Sequence, residues 1–495
     1  MMLSPGGLAG LAVAAPFVAA TLILVAPKRL AEWWGYAAAA ISAVAAAMVL
    51  PAVRAGEAVE LRVIPLVPGL DLQLSVDALG ITFGLLAAGL WIVTSVYTSG
   101  YVRANNLKSR PRFFAAFAAS VGAALGVAFA GNLLTFFVFY ELLTLATYPL
   151  VVHKETSYAY AAGRRYLVFS LGGGLALLTA VAWTWNLTGT LDFVPGGFLQ
   201  GAAAPAVLST LFLLFVVGVA VKAAVMPLHA WLPAAMVAPT PVSALLHAVA
   251  VVKAGVFGVM RVTGFVFGPE SLRGFSGAGI LAAMAMITIV AGSLIALRQD
   301  NLKRRLAYST IVHLSYIVLG AALMAPLALA GSVMHMVNHG LAKITLFFCA
   351  GAIYAATGKE NISDFSGLGR QMPWTFGAFA VASLALVGLP GLSGFVGKLF
   401  LARGAISVGD LLAASVMLGA SLLTAAYLLP IVRIAFLPGG PQQASPSRRE
   451  APVAMVAPLV FTALLVVLFG FLPSILDGQF GLAMDVASWV FGVTP

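Results

Sequence analysis

Glu141, Lys222, Lys253, Lys343 and Lys398 all fall inside apolar stretches. A charge in hydrocarbon costs several kcal/mol, so each must face a partner, a cavity or water. Lysine can release a proton when burial shifts its pKa, whereas arginine stays charged. Four lysines in apolar stretches, with the arginines in loops or at the ends of those stretches, point to proton exchange more than to fixed charge. Glu141, in Phe136-Phe137-Val138-Phe139-Tyr140-Glu141, is the one deep carboxylate. It could tune a lysine by pairing with it, or simply tie two helices together. Lys222 precedes Pro227, whose ring crowds the carbonyl of residue 223 and breaks the helix beside the lysine. Lys398 follows the interruption Gly388-Leu389-Pro390-Gly391. Broken helices at membrane depth line cavities, and transporters place ion sites there. The plainer alternative for Lys222 is a proline kink with a snorkelling lysine.

His335, His339 and Lys343 stand at i, i+4 and i+8 and so share one helix face. Histidine titrates near neutral pH, so the stripe can pass protons; it can equally be polar glue between helices. A metal site ranks last, because no carboxylate or cysteine completes a ligand set. His229, His247 and His313 are weaker relay candidates. His247 shares a stretch with Lys253 but points to another face, and His153 reads as interfacial.

The elements that must hold these groups follow from composition. Of 495 residues, 61% are hydrophobic and 9% charged, with a mean hydropathy of +1.03. A soluble domain is about one quarter charged. A cytosolic enzyme, a nucleic-acid binder and a disordered scaffold are excluded, leaving an all-α integral membrane protein in the lipid bilayer. No Rossmann fingerprint, P-loop or Cys-x-x-Cys is present, so no cofactor is expected. Cys349 is the single cysteine. Fourteen spans are expected, at 3–25, 31–53, 76–100, 113–131, 133–152, 165–185, 205–228, 241–263, 277–297, 306–325, 328–356, 373–402, 410–437 and 453–475. The first reads as retained, not as a cleaved signal. Val59–Asp77 alternates with period two and reads as a hairpin outside the bilayer. Residues after 475 are too short and mixed to span. Loops after odd-numbered spans, carrying Lys28 and Arg29 among others, hold most of the basic residues. This accounts for a net charge of +11 and puts those loops in the cytoplasm and both termini outside. The interrupted, lysine-bearing spans lie five apart, an odd offset that suggests an inverted repeat.

The run Met226-Pro227-Leu228-His229-Ala230-Trp231-Leu232-Pro233, then Ala238-Pro239-Thr240-Pro241-Val242-Ser243 and Leu245-Leu246-His247, with Lys253-Ala254-Gly255, resembles the antiporter-like subunits of complex I, membrane-bound hydrogenases and Mrp-type cation/proton antiporters. The resemblance covers nearly the whole chain. It implies two inverted five-helix repeats, spans 4–8 (113–263) and 9–13 (277–437), between an N-terminal part, 1–112, and a last part, 438–495. Spans 7 and 12 would be the broken ones. It further implies a Glu141–Lys222 pair, Lys253 connecting toward the centre, a polar axis through the histidines of spans 10 and 11, and Lys398 as the charge of broken span 12. Gly-Phe-Val-Gly-Lys398 and the chain length most resemble the D-type subunit of Mrp antiporters. That implies a transporter component, not an enzyme, in a hetero-oligomeric cell-membrane complex exchanging sodium for protons. The alternatives are a proton-pumping subunit of a complex I-like oxidoreductase or hydrogenase, and a structural scaffold, which the in-line charges disfavour.

Overall fold

The computed structural model describes residues 3–27, 30–437, 448–472 and 479–493. Lys28 and Arg29 of the first basic loop, and the end of the stretch 453–475, lie outside them. Helices α1 (Pro5–Val25) and α2 (Ala31–Arg54) lead to an antiparallel hairpin of β1 (Glu60–Val67) and β2 (Leu70–Ser75), where the alternation predicts it. Then come α3 (Ala78–Ala104), α4 (Arg110–Ala128), α5 (Leu133–Val151), α6 (Ser157–Thr188) and α7 (Pro205–Ala223). Several starts carry a side-chain cap: Asp77 accepts from Gly80 N, Asn132 from Thr135 N and Thr156 from Ala159 N. Each such cap contributes about 1 kcal/mol.

After α7 the chain breaks. Ala224 adopts the left-handed region (φ 55°), and Pro227 cannot resume the helical hydrogen bonding. Short α8 (Trp231–Ala234) and α9 (Thr240–Ala244) follow, then a π-helical turn Leu245–Val249, α10 (Val251–Arg261), a second π turn Val262–Phe267 and α11 (Gly268–Arg273). From Thr240 to Arg273 this is one 34-residue span, buried except at Glu270 and Arg273 in its last turn. It runs ten residues past the expected end at 263. Arg261 is consequently inside the protein at 1% exposure, which corrects its placement at a loop edge.

The second half holds α12 (Gly277–Leu297), α13 (Leu302–Ala322), α14 (Pro326–Thr357), α15 (Leu368–Gln371), α16 (Pro373–Val387), α17 (Ser393–Ser407), α18 (Leu411–Phe436), α19 (Val453–Phe471) and α20 (Gln479–Phe491). Gly388, left-handed at φ 96°, stops α16, and Pro390 holds the interruption before α17. Twelve helices among the described residues are long and apolar enough to cross a membrane. The expected fourteen is not reached on length and composition. The expected span 306–325 falls on α13, whose first turn carries Lys303, Arg304 and Arg305, and 373–402 is split into two 15-residue helices. The 32-residue α14 is the central post, packed against α3, α13, α16, α17, α19 and α20.

Loops alternate between two faces. Gln73 of the hairpin donates to Asp192 at 2.7 Å, and Asn132 bridges to Asp192, so the loops after α2, α4 and α6 meet on one face. Tyr101, Lys154, Lys303, Lys359 and Glu360 line one small cavity, which gathers the loops after α3, α5, α12 and α14 on the other.

Candidate functional site

Lys222 sits in the last turn of α7, fully buried, immediately before the break. Its ammonium donates to the Tyr140 carbonyl, lies 3.4 Å from the centre of the Tyr140 ring, and is 3.9 Å from Glu141 Oε1. Glu141 and Lys222, 81 residues apart in the chain, are thus neighbours in the fold. Both carboxylate oxygens of Glu141 lack a hydrogen-bond donor among the described residues, which leaves this a loose ion pair. Tyr140 is itself fixed, because its hydroxyl donates to Gly218 O at 3.1 Å. A Cβ on Gly174 of α6 would lie 2.6 Å from Glu141 Oε1. The glycine therefore makes room for the carboxylate.

Backbone contact joins this pair to the next lysine. A Cβ on Gly255 would lie 2.1 Å from Ala223 N, so α10 rests directly on the break of α7. Two residues before Gly255, Lys253 is fully buried, and its Nζ lies 2.7 Å from His339 Nδ1 on α14. His313 Nδ1 of α13 is 3.2 Å from His335 Nε2 of α14. The rings of His313, His335 and His339 lie with centroids 5.4–6.2 Å apart. The Tyr316 ring stacks on His313 and is also 5.0 Å from the Lys398 ammonium. Lys398 donates to the Leu386 and Val387 carbonyls at 2.6 and 3.2 Å, and to Ser421 Oγ at 2.9 Å. Those carbonyls are free because α16 ends there; a helix C-terminus carries partial negative charge and suits a cation. The side chains thus run Lys253, His339, His335 and His313, Tyr316, Lys398.

Other predicted residues stand off this run. Lys343 is buried but donates to the Leu306 carbonyl at 3.2 Å, not to a histidine. His229 is half-buried beside Tyr308 (6.3 Å), off the line. The buried ring of His247 stacks on Phe347 at 4.6 Å, and neither of its nitrogens has a hydrogen-bond partner among the described residues. Thr240 and Ser243 precede it at i−7 and i−4, Ser243 likewise unpartnered, and Thr240 lines the cavity with Lys303 and Glu360. His153, past the end of α5, faces Lys108 O at 3.1 Å; burial and Arg112 hold its imidazole below the ordinary histidine range.

Tyr140, Tyr316, Ser421 and Ser243 escaped sequence reasoning because neutral hydroxyls are common in apolar helices. Arg261 escaped for another reason: it stands near an expected span end. It pairs in the structure with Asp77, Nη2 to Oδ1 at 2.8 Å, among the rings of Phe193, Phe257 and Phe265. No group of three or more histidine, cysteine or acidic residues could hold a metal among the described residues.

Residues 130–424 match the family described as NADH:quinone oxidoreductase/Mrp antiporter, TM. The chain is 32% identical to NADH-quinone oxidoreductase subunit N of Desulforudis audaxviator, over 81% of this chain and 82% of that protein. It is 31% identical to the A/B component of a probable K(+)/H(+) antiporter of Rhizobium meliloti, over 94% of this chain and 47% of that protein. In fold it is similar to a chain of the Mrp complex from Dietzia sp., with a TM-score of 0.88, 23% identity, and 99% and 98% of the two chains covered. This multi-pass integral membrane protein belongs to the family of NADH:quinone oxidoreductase/Mrp antiporter transmembrane subunits.

Proposed function

We propose that the chain is the proton-carrying membrane component of a hetero-oligomeric monovalent cation/proton antiporter in the cell membrane, of the Mrp D type, with sodium the exchanged cation. The observation that carries the reading is the buried run from Lys253 through three histidines to Lys398, with the Glu141–Lys222 pair at its other end. Buried lysines are proton carriers, and neutral imidazoles can hand protons between them. Glu141 sets whether Lys222 holds its proton: a nearby carboxylate favours the charged form, and its movement or protonation releases it. The similarity to an NADH-quinone oxidoreductase component, over four fifths of both chains, supports a second reading: a redox-driven proton pump using the same groups.

Sealed vesicles carrying the assembled complex discriminate the two. Proton movement on sodium addition, without an electron donor, is expected for the antiporter. Proton movement only when NADH or another donor is oxidised favours the pump. Glu141→Ala should abolish either activity while the complex still assembles, and full activity in that variant overturns the role of the pair.

A further inference from the structure

We propose that Arg261, backed by Phe257, is a proton barrier that closes the hairpin face to Lys253, so that Lys253 exchanges protons only with the face of the basic loops and sideways along the histidines. The proposal rests on the translocation reading above and assigns it a direction of access. Lys253, Phe257 and Arg261 stand at i, i+4 and i+8 on α10, one stripe rising about 12 Å. Toward the basic-loop face, the same span offers His247, Ser243 and Thr240, all buried, with Thr240 at the cavity lined by Lys303 and Glu360. Toward the hairpin face, no polar side chain stands on the span between Lys253 and Arg261, and the buried Thr263 and Ser271 lie beyond the arginine. One turn from Lys253 lies Phe257, fully buried and packed on Phe83 at 5.2 Å and Phe136 at 6.4 Å. One turn further is the Arg261 guanidinium, 4.6–4.9 Å from three phenyl rings.

Asp77 holds that guanidinium from the outer side. Its own side chain is 24% exposed, while that of Arg261 is 2% exposed, so the pair stands where the hairpin face meets the interior. A fixed positive charge in a narrow route repels protons and cations, and a ring of apolar side chains keeps out the water that would carry them. Arginine suits this position because it cannot release its own proton to the route. The rival reading is a structural clamp, with the pair fastening α3 to α10. A buried pair contributes little net stability compared with neutral side chains of similar volume, so the two readings separate experimentally.

The assembled complex in sealed vesicles is given a pH gradient without sodium or electron donor, and its collapse is followed with a pH-sensitive dye. The neutral double variant Asp77→Asn/Arg261→Gln should collapse the gradient severalfold faster than wild type. Arg261→Lys, whose ammonium the adjacent Asp77 carboxylate holds in the charged form, should stay tight. Adding Lys253→Ala to the double variant should restore tightness, because the leak runs through that lysine. A double variant as tight as wild type, or a leak that survives Lys253→Ala, overturns the barrier. If the double variant does not assemble, Arg261→Gln alone replaces it beside Arg261→Lys: a leak confined to the glutamine variant supports the barrier, equal leak in both overturns it. Loss of assembly in both neutral variants makes the pair a clamp and also overturns it. Sodium-driven and donor-driven proton movement in wild type, measured in parallel, decides the translocation reading separately. Its absence there leaves the leak comparison intact.

Discussion

At the residue scale, the two terminal lysines are solvated differently, and this decides what each tolerates. Lys222 has a carboxylate; Lys398 has two helix-end carbonyls and a hydroxyl. Carbonyls stabilise an ammonium without offering a proton acceptor, so the proton of Lys398 must leave through the Ser421 hydroxyl, which lies 3.5 Å from the Tyr316 hydroxyl, or through water in the break. A counter-charge would work equally well as arginine, a carrier would not. Lys398→Arg is therefore expected to lose ion exchange nearly as fully as Lys398→Ala, with the complex intact, in the vesicle assay. Retained exchange would reduce Lys398 to an electrostatic role. Gly174 allows a sharper test of the carboxylate. Gly174→Ala should push Glu141 off Lys222 and lower exchange by about a hundredfold, the cost of misplacing a reacting group by about 1 Å. Gly172→Ala, which meets nothing within 4 Å, should leave exchange unchanged. The intramembrane charges were legible in the sequence because lysine and glutamate are conspicuous among apolar residues. Their partners were not: Lys253 and His339 are 86 residues apart, and no local pattern encodes that contact.

At the element scale, the breaks were legible because proline and glycine act locally. Pro227 and the Gly388–Pro390 interruption stop helices where backbone chemistry requires. The extent of the Thr240–Arg273 span was not legible. Its two π turns keep a helix running where an apolar count ends it, and so concealed the burial of Arg261. The shortfall in α13 has the opposite origin, since Lys303, Arg304 and Arg305 in its first turn dilute an otherwise apolar helix. The stripe on α14 yields a prediction of its own. Only His339 joins Lys253 to the other imidazoles by a direct contact among the described residues, whereas His335 and His313 both adjoin Tyr316. His339→Leu should thus cut exchange by about a hundredfold or more, the lower range for loss of a proton-transfer group. His335→Gln, which keeps a hydrogen-bonding side chain, should cost less. Equal losses in the two variants would count against a single-file order.

At the scale of the whole molecule, the loops divide cleanly between a hairpin face and a basic face. The excess of lysine and arginine predicts that the basic face is cytoplasmic. Cys349 is buried, so an introduced cysteine reports without a competing accessible thiol. An impermeant maleimide added outside intact cells should label Arg62→Cys on the hairpin and spare Arg298→Cys; the reverse pattern would invert the topology. The direct seating of α10 on the α7 break at Gly255 has a mechanical consequence. With no side chain between the two backbones, a shift of the segment bearing Lys222 cannot be absorbed by rotamer changes and must move α10 as a lever. A change of charge at Glu141 would then be felt at Lys253 as displacement as well as through its field. Gly255→Ala, wedging the helices apart while sparing every ionisable group, should leave each lysine buried and yet stop them working in step.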